Sequence, residues 1–267
     1  MCRMIAVPPG TKQEVFLEIL LDLETKNTHG FGLGYVENGG FKVRKTALSL
    51  SETLKKRKDF FDGIFPNKSW VLGHCRYATR GEICARNSHP FESNKYLVTH
   101  NGTFKEQNLV KFLMGKTISC KSETDSEVAL KLLEKVGPKR FLQLTYEPGV
   151  FLALEKSGRL WAIKSEFKDD LKIGKIGKDK FILASRFSWN NNKYRDEEAK
   201  KGWYLFDANG GLIASKTKGY EYESSSNLGN QGNHFGSVRS KLLNTELARW
   251  EALHGAREQS EDLYTGY

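Results

Sequence analysis

What the chain lacks narrows it first. No stretch approaches the ~18 consecutive apolar residues of a membrane-spanning helix. The richest one, Val15 to Leu23, already contains Glu18 and Asp22. No transmembrane helix is therefore expected. The N-terminal MCRMIAVPPG has no long apolar core of the kind a secretory signal carries. Cysteine is scarce and unevenly spaced: Cys2, Cys75, Cys84 and Cys120 are the four in 267 residues. Such a set makes no disulfide framework and points to a reducing, cytoplasmic setting. Its spacing to His74, His89 and His100 matches no common zinc pattern, so no metal is expected. There is no internal repeat. Charge of one sign is not concentrated either. Lys and Arg total 42 against 32 Asp and Glu, a net charge of +10, but the basic residues are spread among acids. That favours solubility and weak attraction to polyanions, and it does not make a nucleic-acid-binding module.

What is present is enough apolar material for a sizeable core. Hydrophobic residues are 39% and aromatics 12% of the chain, which excludes wholesale disorder. Apolar residues at Val15, Phe16, Ile19, Leu20 and Leu23 have helical spacing and predict a helix over Lys12 to Lys26. Further helices are expected over Ser51 to Asp62, with Ser51 as a possible cap, over Phe104 to Met114 and over Glu123 to Val136. Met4 to Val7, Phe31 to Glu37, Phe41 to Lys45, Trp70 to Cys75 and Tyr96 to Thr99 read as strands, and Asn38-Gly39-Gly40 as the turn of a hairpin. From Val150 onward short β-type runs follow one another without helices: Val150 to Leu154, Arg159 to Lys164, Lys180 to Ala184, Gly202 to Phe206 and Leu212 to Ser215. The pattern is α+β rather than alternating βαβ. Tyr222 to Gly236, rich in Ser, Asn and Gly, reads as linker, and Val238 to His254 regains a helical stripe before a polar tail.

Cys2 is the most telling position. Removal of Met1 would leave its thiol and a free α-amine on one residue. An α-amine has a reference pKa of ~7.7–8.0 and a thiol ~8.5. The amine can therefore serve as general base for its own side-chain nucleophile. Other segments carry matching chemistry: GHCRYATRG (73–81), NSHPF (87–91), VTHNG (98–102) and SETDSE (122–127). An Arg at a strand end can grip a carboxylate through two parallel hydrogen bonds. An Asp at a helix start suits an ammonium. A substrate with both groups on one carbon is an amino acid. Asn101 can offer an amide donor and Gly102 an unobstructed backbone N–H, the parts of an oxyanion hole. Taken singly, Asn101-Gly102 is also an ordinary turn and Asp125 an ordinary helix-start acid.

In their order, these segments resemble the class II glutamine amidotransferases, whose domains are N-terminal-nucleophile hydrolases, and the style is that of small stand-alone members without a fused synthase. The resemblance covers roughly residues 2–215. It implies a four-layer αββα sandwich, with 216–237 as linker and 238–267 as a C-terminal helix and frayed tail. It implies Cys2 as nucleophile, Asn101 and Gly102 as the oxyanion pair, and Arg76, Tyr77, Thr79, His100 and Asp125 as the residues that bind glutamine. The activity implied is hydrolysis of the glutamine side-chain amide to glutamate and ammonia through a γ-glutamyl thioester. It needs no metal or organic cofactor, and the ammonia would pass to a separate synthase. The same residues would also suit another γ-glutamyl amide or peptide, or a catalytically retired binding domain. Two departures stand out. Arg3 occupies a place where many members have Gly, so a cation there could crowd the thiol or lower its pKa. The segment Asn27-Thr-His-Gly-Phe-Gly32 replaces an arginine-containing one.

Overall fold

Strands buried on both faces need apolar residues at every position, and the order of those residues tells which layer each one enters. The computed structural model describes residues 2–115, 119–146, 148–165, 170–177, 179–186 and 196–217. One sheet has seven strands: β1 (Arg3–Val7), β2 (Phe31–Glu37), β3 (Gly40–Thr46), β4 (Val71–Cys75), β9 (Lys172–Ile176), β10 (Lys180–Ala184) and β11 (Asp196–Glu198). They are ordered β11-β9-β10-β1-β4-β2-β3. The second has six: β5 (Phe91–Glu92), β6 (Tyr96–Asn101), β7 (Val150–Glu155), β8 (Leu160–Lys164), β12 (Gly202–Phe206) and β13 (Leu212–Thr217), ordered β13-β12-β8-β7-β6-β5. Among the described residues every pairing is antiparallel.

Three cores separate four layers. Helices α1 (Gln13–Glu24) and α2 (Leu50–Lys56) cover the first sheet. There Phe16, Leu20 and Leu23 meet Ile5, Val7, Val71 and Cys75. Helices α3 (Gln107–Met114) and α4 (Asp125–Leu144) cover the second, where Val128, Leu132 and Phe141 meet Val98, Phe151 and Ile163. Between the sheets Met4, Ala6, Trp70 and Leu72 pack against Leu97, Leu152 and Leu154. The alternation is strict: in β1, Met4 and Ala6 face the other sheet while Ile5 and Val7 face the helices. The fold is thus an α+β sandwich of four layers, αββα.

Local signals explain most element ends. Asn38 and Gly39 take φ of 51° and 73°, the left-handed pair that a two-residue hairpin loop requires. In α2 the cap is Ser49, not Ser51. Ser49 Oγ accepts from Glu52 N at 3.2 Å while Glu52 Oε2 accepts from Ser49 N at 3.3 Å, a reciprocal capping box. Ser51 instead donates its N–H and hydroxyl to the buried Glu24 carboxylate of α1. The α-helix ends at Lys56, and Lys58–Phe61 forms a separate 3-10 turn. The expected helix over Glu123 to Val136 continues through a kink at Gly137 (φ 78°) to Leu144, with Pro138 opening the second arm. β5, β9 and β11 were not expected from the sequence. The 222–236 linker and the 238–254 helix lie outside the described residues.

Candidate active site

The strand register brings the chemistry together. β1 and β4 pair with Arg3 opposite Cys75, so the chain just before β1 and the chain just after β4 emerge side by side. Cys2 lies on one and Arg76-Tyr77 on the other. The Tyr77 N–H donates to Cys2 Sγ at 3.4 Å, and the Cys2 thiol lies 3.5 Å from the Tyr77 carbonyl. Period-2 alternation then decides which side chains look into the space between the sheets. Cys2 continues the Met4 and Ala6 parity; His74 and Arg76 continue that of Trp70 and Leu72; Thr99 and Asn101 continue that of Leu97. The Thr99 hydroxyl touches Met4 Sδ at 3.5 Å, joining β6 to β1 at this end.

Each group has a definite environment. Asn101 is fully buried, and among the described residues neither its Nδ2 nor its Oδ1 has a hydrogen-bond partner. A buried amide left unpaired costs stability, so its retention here calls for a ligand. Gly102 has φ 150°, and a Cβ there would stand 2.8 Å from both Gly149 Cα and the Pro148 oxygen. Only glycine fits. Arg76 is 2% exposed, and its guanidinium donates to the carbonyls of Glu82 (2.8 Å), Arg80 (2.7 Å) and Gly81 (3.3 Å). A guanidinium has five N–H donors, so three bonds do not exhaust it. Asp125 stands at the start of α4 and accepts the Phe104 N–H at 2.6 Å through Oδ2. Burial pushes the Cys2 thiol pKa up. The Tyr77 hydrogen bond, the amino terminus and Arg76 pull it down, while Asp125 adds to the rise. The charges of Arg76 and Asp125 thus both reach the thiol.

Tyr77 and Thr79 are exposed on the loop after β4. His100, grouped with the substrate-binding residues by the sequence, has the opposite parity to Asn101. Its buried ring stacks on Phe151 at 4.1 Å, and its nitrogens meet Ser126 Oγ (2.9 Å) and the Pro148 oxygen (2.7 Å). It sits behind Asn101 rather than beside the inter-sheet space. Arg3 also has the parity opposite to Cys2, and its guanidinium meets Asp170 at 3.4 Å. It does not crowd the thiol.

A family model described as "Glutamine amidotransferase domain" matches residues 33–154. The chain is 34% identical over 131 residues to glutamine–fructose-6-phosphate aminotransferase [isomerizing] of Caldanaerobacter subterraneus subsp. tengcongensis, a match covering 47% of this chain and 21% of that protein. It is 30% identical over 201 residues to the enzyme of the same name from Helicobacter pylori, covering 70% and 33%. Residues 33–154 carry a glutamine amidotransferase domain. The fold agrees: a glutamine phosphoribosylpyrophosphate amidotransferase from B. subtilis superimposes with a TM-score of 0.65 at 18% identity, covering 81% of this chain and 49% of that one. The chain spans only between 21% and 33% of the length of the two curated relatives.

Two further residues escaped the sequence reading. His29 lies in the segment that departs from the family pattern. Its N–H donates to the Arg76 carbonyl (3.0 Å), its Nδ1 accepts from Ala78 N (2.9 Å), and its ring rests on Tyr77 at 5.1 Å. It therefore supports the backbone that touches the Cys2 thiol. Glu123, inside the SETDSE segment, accepts from Glu82 N (3.0 Å) and Asn87 Nδ2 (2.9 Å) and pairs with Arg86 (3.2 Å). It stitches the 80–87 loop to the start of α4. Among the described residues, no helix is long and apolar enough to cross a membrane.

Proposed function

We propose that this domain, residues 2–215, hydrolyses the side-chain amide of glutamine to glutamate and ammonia. The observation that carries the reading is the Cys2 thiol on the Tyr77 backbone, within the fields of the Arg76 cation and the Asp125 anion. That charge pair is complementary to an α-amino acid. Arg76 takes the α-carboxylate and Asp125 the α-ammonium, with Tyr77 and Thr79 on the adjoining wall. With Met1 removed, the α-amine of Cys2 accepts the thiol proton, and the sulfur attacks the amide carbon. The carbonyl oxygen becomes an oxyanion held by Asn101 Nδ2–H and the Gly102 N–H. The buried unpaired amide of Asn101 supports this role. The protonated amine then gives its proton to the departing nitrogen, which leaves as ammonia. Water, deprotonated by the same amine, cleaves the γ-glutamyl thioester to glutamate and restores the thiol.

The ammonia goes to a synthase, in keeping with the aminotransferase names of the longer relatives. All four cysteines are unpaired, which fits a reducing, cytoplasmic setting. The test is the mass of the purified protein, intact and as peptides, after incubation with a glutamine-like diazo-ketone. The expected result is a chain without Met1 and one adduct, on Cys2, that excess glutamine prevents. A chain that keeps Met1, or loses it and stays unlabelled, overturns the reading in favour of a binding-only domain.

A further inference from the structure

Three buried histidines lie close to the site: His74 on β4, His89 before β5 and His100 on β6. The glutaminase steps use none of them. Their protonation follows from their partners. His74 Nε2 is 3.1 Å from the His100 backbone oxygen. A carbonyl can only accept, so His74 Nε2 carries the proton and donates. Burial pushes the His74 pKa down to about 3, so the ring is neutral throughout the working pH range. Among the described residues its Nδ1 has no partner, and its ring packs against that of His89 with 4.0 Å between centroids. By the same reasoning the His100 Nε2–H donates to the Pro148 oxygen, and its Nδ1 accepts from the Ser126 hydroxyl.

The positions of these bonds matter more than their number. His74 stands two residues before Arg76 on one sheet. The carbonyl it holds belongs to the peptide group that supplies the Asn101 N–H, on the other sheet. The His100 ring in turn holds Ser126, next to Asp125, and the Pro148 oxygen, which lies against Gly102. From this geometry we infer that His74 is a positioning residue: its Nε2–H braces β4 to β6 and sets the span between the amino-acid grip and the oxyanion donors. This rests on the glutaminase reading above. Arg76 and Asp125 hold the substrate in the ground state, whereas the oxyanion exists only after attack. A slackened brace should therefore lower kcat and leave KM nearly unchanged.

The test compares His74→Leu, which removes the donor, with His74→Gln, whose side-chain amide can reach the same carbonyl. Glutamine turnover is followed as glutamate released, and melting curves confirm that both variants fold. Misplacement of reacting groups by about 1 Å costs on the order of 100-fold. We expect kcat of His74→Leu to fall about 10- to 100-fold with KM within about threefold, and His74→Gln to recover most of it. The pH profile of both variants keeps the wild-type limbs, because His74 does not titrate there. Equal losses in the two variants, a KM rise at constant kcat, or a displaced pH limb would overturn the brace. A second readout does not depend on turnover: the backbone amide resonance of Asn101 should move in His74→Leu and stay in His74→Gln. If processed wild-type protein shows no glutaminase activity, the function reading has failed. The brace is then upheld if that resonance moves only in His74→Leu, and refuted if it moves in neither or in both.

Discussion

Replacing Gly102 by Ala tests the oxyanion corner most directly. The added methyl would lie 2.8 Å from Gly149 Cα, 2.8 Å from the Pro148 oxygen and 2.9 Å from His100 Nε2. Two of these three neighbours are backbone, so no flexible side chain can simply move aside. Overpacking of this kind costs about 1–3 kcal/mol. The positive φ adds about 1–2 kcal/mol for a residue with a Cβ. The expected loss of about 2–5 kcal/mol is within the ~5–15 kcal/mol stability of a folded domain. The variant should still fold, with a Tm lower by roughly 4–20 °C at this domain size. Gly63→Ala isolates the backbone part, because Gly63 has φ 73° and nothing within 4 Å of its would-be Cβ. That control should lose only about 1–2 kcal/mol and keep full turnover. In Gly102→Ala the displaced N–H no longer meets the oxyanion, and kcat should fall about 100- to 1,000-fold. Melting by circular dichroism and a coupled glutamate assay read both effects. If Gly102→Ala melts with Gly63→Ala and turns over glutamine normally, the steric argument and the role of the Gly102 N–H are both refuted.

Two further outcomes are expected. Asp125→Asn keeps an oxygen for the Phe104 N–H but loses the charge that meets an ammonium, so KM for glutamine should rise roughly 10- to 100-fold while the melting curve hardly moves; an unchanged KM would remove Asp125 from substrate binding. Alkylation of Cys2 by iodoacetamide, read from peptide masses, should speed up with pH and still be climbing at about pH 8.5. Burial raises the thiol pKa, so the reactive thiolate is the minor form at neutrality. A rate that levels off below about pH 7.5 would mean that Arg76 and the amino terminus outweigh burial.

The sequence alone determined the elements whose signals are local. Helical spacing marked α1, the Asn38-Gly39 pair marked the β2–β3 turn, and the apolar run of β1 announced a strand. The ordered segments around Cys2, Arg76, Asn101 and Asp125 also identified the domain type. β9, with lysines at both Lys172 and Lys175, carried no clear apolar pattern, and its strand identity comes from pairing with β10 and β11. The cap of α2 moved to Ser49 because Ser51 is taken by Glu24, a partner 27 residues away. Tertiary structure alone decided which side chains of these motifs meet. A strand's parity is fixed only when its register and its covering layer are known. That parity turns Asn101 toward Cys2 and His100 away from it, although the two are neighbours in sequence. His29 and Glu123 became visible for the same reason: each acts on a loop far along the chain, through hydrogen bonds that only the folded backbone brings within reach.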